Sequence, residues 1–284
     1  MKLTGVTKVY NGKKILDIKE LNLEKGKIYA FVGENGAGKT TLFRLLAKLT
    51  FPTEGTIELD SEADKLGVMI ESPAIDLDMT AEENLIWMSK VYGKENCMDI
   101  YELLDLVRLG NVKLKARRFS LGMKQRLGIA MCLLQKPNLL ILDEPMNGLD
   151  PIGMVEVRNL LLKINEQGTT ILISSHILEE LYKLATDYIF IKKGEIIHRK
   201  SIQELEDLEK QTYELKTNDN KRALEYLREI LGCEACIKDS QIIMDIGSKD
   251  LCDVSKSLAQ NEIYILGLKE ENFSIEEYYM GVMK

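Results

Sequence analysis

The stretch Gly33-Glu34-Asn35-Gly36-Ala37-Gly38-Lys39-Thr40-Thr41 decides the fold class of this chain. It matches G-x-x-x-x-G-K-[ST], a loop whose backbone N–H groups cradle nucleotide phosphates. Its flanks supply the required context. Lys27-Ile28-Tyr29-Ala30-Phe31-Val32 is a short apolar run between Gly26 and Gly33, as expected of a buried parallel strand. Thr41-Leu42-Phe43-Arg44-Leu45-Leu46-Ala47-Lys48-Leu49 carries apolar residues at helical spacing. Strand, loop and helix therefore follow in order. Gly36 and Gly38 let the backbone approach phosphates, and the helix N-terminus adds its dipole. Lys39 is expected to reach the β- and γ-phosphates, and Thr40 to place its hydroxyl on Mg²⁺.

A second stretch narrows the chemistry. Ser120-Leu121-Gly122-Met123-Lys124-Gln125-Arg126 precedes the apolar run Leu139-Leu140-Ile141-Leu142, which ends in Asp143-Glu144-Pro145. A carboxylate at a strand end beside a phosphate loop can hold Mg²⁺ through water, which is the role expected of Asp143. Glu144 is placed to orient or deprotonate the attacking water. Ser120 reads as the N-cap of a helix over Leu121–Cys132. Its hydroxyl, the Gly122 N–H and the helix dipole together make an anion site.

In order and spacing these residues resemble the ATP-binding subunit of an ABC transporter, over roughly residues 1–205. Under that resemblance Tyr10 looks like the aromatic that stacks on adenine. Ser120 to Met123 aligns with the family signature turn. Asn147-Gly148-Leu149-Asp150 looks like the D-loop, and His176, after Ser174-Ser175, looks like the switch histidine. Glu71 falls where the family has a glutamine that touches Mg²⁺ and relays to the permease. The implied mechanism is dimeric: two copies sandwich two ATP molecules, and each signature turn faces the γ-phosphate held by the other copy. The implied catalytic residues are Glu144, His176 and Lys39. The nucleotide is held by Tyr10, by Gly33 through Thr41, and by Ser120, Gly122 and Asp150. Mg²⁺ is held by Thr40, Asp143 and Glu71.

Two departures from the family pattern stand out. Leu121 and Met123 replace the first signature glycine and the glutamine, and Glu71 replaces the usual glutamine. Both resemble the branch linked to bacitracin resistance and to lantibiotic export or self-immunity. That branch implies a separate membrane permease exporting a peptide antibiotic, bacteriocin or similar amphiphile. The expected fold is α/β, a P-loop NTPase of ABC type. It comprises a mostly parallel sheet core, an antiparallel β lobe and a helical subdomain, with a small α+β C-terminal domain.

Composition agrees. The chain has 284 residues, 45% of them hydrophobic, enough for one domain of about 200 residues plus a small one. A formal net charge of −7 argues against a nucleic-acid footprint, which is normally basic. No run of apolar residues reaches the length of a membrane span, and the N-terminus lacks a signal-peptide core. The expected location is cytoplasmic, peripheral on the inner face of the cell membrane through the permease. The five cysteines are scattered, and Cys233-Glu234-Ala235-Cys236 has no partner pair at zinc-finger spacing, so its thiols read as incidental. Two other ABC ATPase classes fit less well. Translation factors of this superfamily carry two cassettes in one chain, and chromosome or repair ATPases carry long coiled coil; neither feature is present. Lys39, Asp143, Glu144 and His176 are all in place, against a binding switch that has lost hydrolysis.

Along the chain, Asn11-Gly12 marks a hairpin, and Thr80-Ala81-Glu82-Glu83 is a capping box that opens a helix containing Trp87, read as core, the alternative being an exposed aromatic near the groove that the resemblance implies for the permease. His198 reads as structural. The division is expected at residue 205, with an ABC ATP-binding domain over 1–205 and an accessory domain over 206–284. The latter reads βαββαβ, ferredoxin-like, with strands at Tyr213–Thr217, Ala235–Ile237, Ile242–Ile246 and Ile263–Leu266. A closing helix is expected with a Ser274/Glu277 capping box and a Phe273–Tyr278 staple.

Overall fold

The computed structural model describes residues 1–58, 65–93, 97–207, 212–238, 240–247, 249–271 and 274–283. The chain forms two compact units, Met1–Ile202 with Tyr279–Lys284, and Gln203–Tyr278.

In the first unit, β1 (Lys2–Tyr10) and β2 (Lys13–Asn22) form an antiparallel hairpin. Its two turn residues, Asn11 (φ 49°) and Gly12 (φ 76°), have the positive φ pair that matches the twist of a tight hairpin. After β3 (Ile28–Val32) come α1 (Lys39–Leu46), β4 (Glu54–Glu58) and β5 (Leu66–Met69). Strand β4 pairs with β1 and completes a three-stranded antiparallel lobe. The helical stretch holds α2 (Ala81–Tyr92), α3 (Ile100–Leu106) and α4 (Leu121–Leu133). Helix α2 opens on the expected capping box, Thr80 Oγ1 accepting from Glu83 N while the Glu83 carboxylate accepts from Thr80 N. Then follow β6 (Leu139–Asp143), α5 (Pro151–Glu166), β7 (Thr170–Ser174), α6 (Leu178–Tyr182), β8 (Asp187–Lys192) and β9 (Glu195–Ser201).

The central sheet runs β5-β6-β7-β3-β8-β9. Its neighbours are parallel except β8 and β9, which form an antiparallel edge. Strands β3, β6 and β7 are buried along their whole length, which explains why they read as continuous apolar runs rather than alternating ones. Helix α1 buries Leu42, Phe43, Leu45 and Leu46 against this sheet, and Phe43 meets Phe31 edge-to-face at 5.1 Å. Each such side chain contributes about 1.5–3 kcal/mol through burial, so the phosphate loop is strung between two anchored elements.

Two expectations for this unit need correction. Trp87 is not core: it lies on α2 with 53% of its surface exposed. The helix keeps Ala81, Asn84, Leu85 and Ser89 inside, and residue 87 falls past the edge of that face, on the side away from Leu85. Second, the division falls after Ile202 rather than 205, and the last residues belong to the first unit. Tyr279 stacks on Phe190 with ring centroids 6.5 Å apart, and Lys192 Nζ donates to the Met283 carbonyl. His198 takes its place in β9 beside Phe190, a packing role as expected.

In chain order α7 (Ile202–Glu206) leads to β10 (Thr212–Thr217), α8 (Asn220–Glu229), β11 (Glu234–Lys238), β12 (Gln241–Asp245), α9 (Leu251–Gln260), β13 (Ile265–Glu271) and α10 (Ile275–Met283). The second sheet runs β11-β12-β10-β13 with every neighbour antiparallel, the split βαβ arrangement. Leu215, Leu227, Ile242, Met244, Val254 and Leu258 form its core. The last strand starts later than expected. Ile263 N donates to Leu258 O and closes the end of α9, and Glu262 has left-handed φ, so pairing begins at residue 265. Cys233 is buried in this core, where burial pushes its thiol up, while Cys236 is exposed on β11. Ser274 Oγ accepts from Glu277 N at 3.3 Å. The proposed staple lies outside the described residues, since it needs Phe273.

Candidate nucleotide site

Strand β3 delivers the phosphate loop to the C-terminal edge of the sheet. Two of its glycines are demanded by the chain's own packing. A Cβ on Gly33 would lie 2.3 Å from the Ile191 carbonyl oxygen. Gly38 has φ +109°, and a Cβ there would come within 2.6 Å of Leu16. Helix α1 starts at Lys39 with Gly38 as N-cap and no side-chain cap, so no side chain competes for its first N–H groups. Glu34, Asn35 and Gly36 form the exposed rim, Ala37 is buried beneath, and Thr41 is half-buried in the first turn. Lys39 is 7% exposed, and its ammonium donates to Gly33 O at 2.6 Å and Glu34 O at 3.1 Å. Burial pulls the Lys39 pKa down, while Glu144 and Asp143 act to hold it up. A buried cation on two carbonyls beside two carboxylates suits an incoming polyphosphate.

The carboxylates meet this loop as the sequence suggests. Thr40 Oγ1 donates to Asp143 Oδ2 at 2.6 Å. Register pairs Asp143 with Ser174 across β6 and β7, and the Ser174 hydroxyl donates to Asp143 Oδ1. Glu144 sits at φ +52°, a left-handed conformation that costs on the order of 1 kcal/mol for a non-glycine residue. Its N–H holds it there, donating to Ser174 Oγ at 2.9 Å and Ser174 O at 3.2 Å. Across the carboxylate, Glu144 Oε2 lies 2.9 Å from His176 Nδ1 and accepts from His176 N at 3.3 Å. Sequence reasoning missed Ser174, which binds the two acids together. The signal was available in principle, because two adjacent parallel strands ending at the same level bring Asp143 and Ser174 side by side.

Tyr10 is 43% exposed at the end of β1, with Lys8 Nζ 4.9 Å from its ring centroid. Ser120 caps α4, accepting from Met123 N at 3.2 Å. A Cβ on Gly122 would meet Gly153 and Leu149 at 3.8 Å, an ordinary contact, so nothing in its own chain requires a glycine there. Leu121, in place of a glycine, lies against Gly148: a Cβ on Gly148 would be 3.1 Å from Leu121 Cδ2. The signature turn and the 147–150 turn are therefore neighbours. Within that turn Asp150 caps α5, accepting from Gly153 N at 3.0 Å. Glu71 is not drawn into the Thr40–Asp143 pair; its carboxylate accepts from Arg44 on α1.

Thr40 and Asp143 present hard oxygen donors side by side. That set fits Mg²⁺, which is usually held through one or two carboxylates plus phosphate oxygens and water. Glu71 stands at the same sheet edge, two residues past the pair Met69–Leu142. If Glu71 serves the metal side, Glu71→Gln keeps an oxygen ligand and its ATPase rate should stay within about tenfold, roughly 1.4 kcal/mol. Glu71→Ala should lose more. ATPase rate against Mg²⁺ concentration for the three proteins checks this; superimposable curves would remove Glu71 from the metal's surroundings.

Known proteins agree with this geometry. The ABC transporter family pattern matches residues 16–147. The chain is 36% identical to the uncharacterized ABC transporter ATP-binding protein YcbN of Bacillus subtilis (strain 168), over 98% of this chain and 95% of that protein. It is 36% identical to the bacitracin transport ATP-binding protein BcrA of Bacillus licheniformis, over 100% of this chain and 97% of that one. Identity to the lantibiotic transport ATP-binding protein SrtF of Streptococcus pyogenes is 42%, over 74% of this chain and 94% of SrtF. Among solved structures, a dimeric post-hydrolysis ATP-binding cassette bound to ADP and phosphate is 25% identical, with a TM-score of 0.61, over 71% of this chain and 98% of that one. The site and these relatives converge, and the chain belongs to the ATP-binding subunits of ABC transporters.

Proposed function

We propose that this ATPase subunit works as a homodimer around two MgATP and drives a permease that exports a peptide antibiotic or a similar amphiphile. One observation carries the hydrolytic part: the Glu144 carboxylate is held by His176 directly beside the Thr40–Asp143 pair. The export part draws on the similarity to bacitracin and lantibiotic transport proteins.

In this reading Tyr10 stacks on adenine, the loop from Gly33 to Thr41 wraps the phosphates, and Lys39 exchanges its carbonyl partners for phosphate oxygens. Mg²⁺ held by Thr40 and Asp143 would neutralise phosphate charge. Glu144 orients the attacking water and takes its proton. A proton on His176 Nδ1 makes the ring a donor to Glu144 and fixes that carboxylate. Ser120 and Gly122 close over the nucleotide of the partner copy. Asp150 shapes the neighbouring turn through its cap.

The permease docks on the helical side. A cavity of about 440 Å³ lies there, lined by Ala47, Leu49, Val68, Met88, Tyr92 and Met131. Leu49, which lines this cavity, is an exposed large apolar side chain, as are Phe51, Trp87 and Val91. Among the described residues no helix is long and apolar enough to cross a membrane. In this reading attachment to the inner face of the membrane runs through this partner. The unit Gln203–Tyr278 is an accessory, regulatory or dimer-supporting part. The test is purification in mild detergent with the adjacently encoded membrane protein. Co-elution should stimulate ATP hydrolysis when bacitracin or a lantibiotic is added, and Trp87→Glu should abolish co-elution. Stimulation by a sugar or amino acid, with none by either peptide, would overturn the export reading.

A further inference from the structure

We propose that Arg44 is a positioning residue for the nucleotide site: it is the counter-ion that holds Glu71 beside the phosphates without letting its charge repel them. Three observations support the role. Arg44 stands four residues after Thr40, on the same face of α1 one turn further in, and its guanidinium donates to the Glu71 carboxylate. The strand register carries Glu71 to the sheet edge that also ends in Asp143 and Glu144. Glu71 itself sits at φ +68° in a three-residue turn closed by Ser72 N donating to Ile70 O at 2.9 Å. That is the rarer, strained hand of γ-turn, and strain of this kind persists where surrounding contacts hold it.

The ion pair cannot be explained as a stability device. Both side chains are well exposed, 43% for Arg44 and 67% for Glu71. Pairs of that kind add little to folding because water and salt screen them. Its consequence lies in the position of a charge. A free carboxylate on this loop could swing toward the γ-phosphate and oppose it. Pinned by Arg44, it becomes one end of a local dipole whose positive end sits on the phosphate-binding helix. An amide at residue 71 would not need such a partner, so Arg44 offsets the departure that distinguishes this chain.

The inference rests on the site binding MgATP, and its test is a double-mutant cycle read by nucleotide affinity. A fluorescent ATP analogue with Mg²⁺ is titrated into wild type, Arg44→Met, Glu71→Ala and the double variant, with thermal unfolding as a check on folding. Arg44→Met should weaken binding about fivefold or more when Glu71 is present and less than about twofold in the Glu71→Ala background. The loss should appear in KM for ATP rather than in kcat. Arg44→Lys keeps a cation in reach of Glu71 and should recover part of the loss. Equal effects of Arg44→Met in both backgrounds would make Arg44 an independent charge and overturn the proposal. No recovery by Arg44→Lys would assign the effect to packing of the side-chain stem and also overturn it. A wild-type protein that bound no MgATP would sink the underlying site as well, whereas tight wild-type binding without coupling would sink the Arg44 role alone.

Discussion

Glu144→Gln is expected to lower ATP turnover by a factor on the order of 10²–10⁴ while leaving ATP binding intact. The substitution is nearly isosteric, so the backbone cage from Ser174 around residue 144 survives. An amide cannot take a proton from water, and it changes the partner that His176 Nδ1 meets at 2.9 Å. In the proposed site binding depends on other groups, the Gly33–Thr41 loop and the Thr40–Asp143 pair, which the change does not touch. In the proposed sandwich closure would precede cleavage, so the variant should also accumulate an ATP-bound dimer. Single-turnover hydrolysis and size-exclusion chromatography with MgATP read the two effects. Near-normal turnover by purified Glu144→Gln would show that another group activates the water.

The second large effect is expected from Ser120→Arg, which should abolish hydrolysis while the monomer still binds ATP. Ser120 caps α4 through Met123 N, and losing such a cap costs about 1 kcal/mol, too little to unfold a unit of this size. In the proposed dimer the arginine would instead crowd the face that would close over the partner's γ-phosphate. Gly122 agrees with that placement, since a Cβ there would make only ordinary contacts at 3.8 Å and its own chain does not demand a glycine. Mixing Ser120→Arg with Lys39→Ala chains should leave at most one intact composite site per heterodimer and restore some activity. Normal ATP hydrolysis by Ser120→Arg alone would refute a site shared between copies.

Much of the ATPase unit was legible because its chemistry is local. Gly33, Gly38, Lys39 and Thr40 belong to one strand–loop–helix, so their spacing along the chain is also their spacing in space. Asp143 and Glu144 follow from a buried strand that has to end where its helix-flanked sheet ends. The capping boxes and the Asn11-Gly12 turn are likewise decided within a few residues. Trp87 resisted this reading because an aromatic at helical spacing looks alike whether its face meets a core or solvent.

By itself, then, the sequence determined the phosphate loop, the acids at the strand end, the order of strands and helices, and the presence of a second α+β unit. Local geometry and hydrophobic periodicity write those features directly into neighbouring residues. Tertiary structure alone decided which distant groups meet. Ser174 joins Asp143 to Glu144 only through the pairing of β6 with β7. Arg44 reaches Glu71 only because α1 and the loop after β5 share one sheet edge. Tyr279 belongs to the first unit only because it finds Phe190 across the chain. Such partners depend on how elements stack in space, and sequence separation carries no record of that.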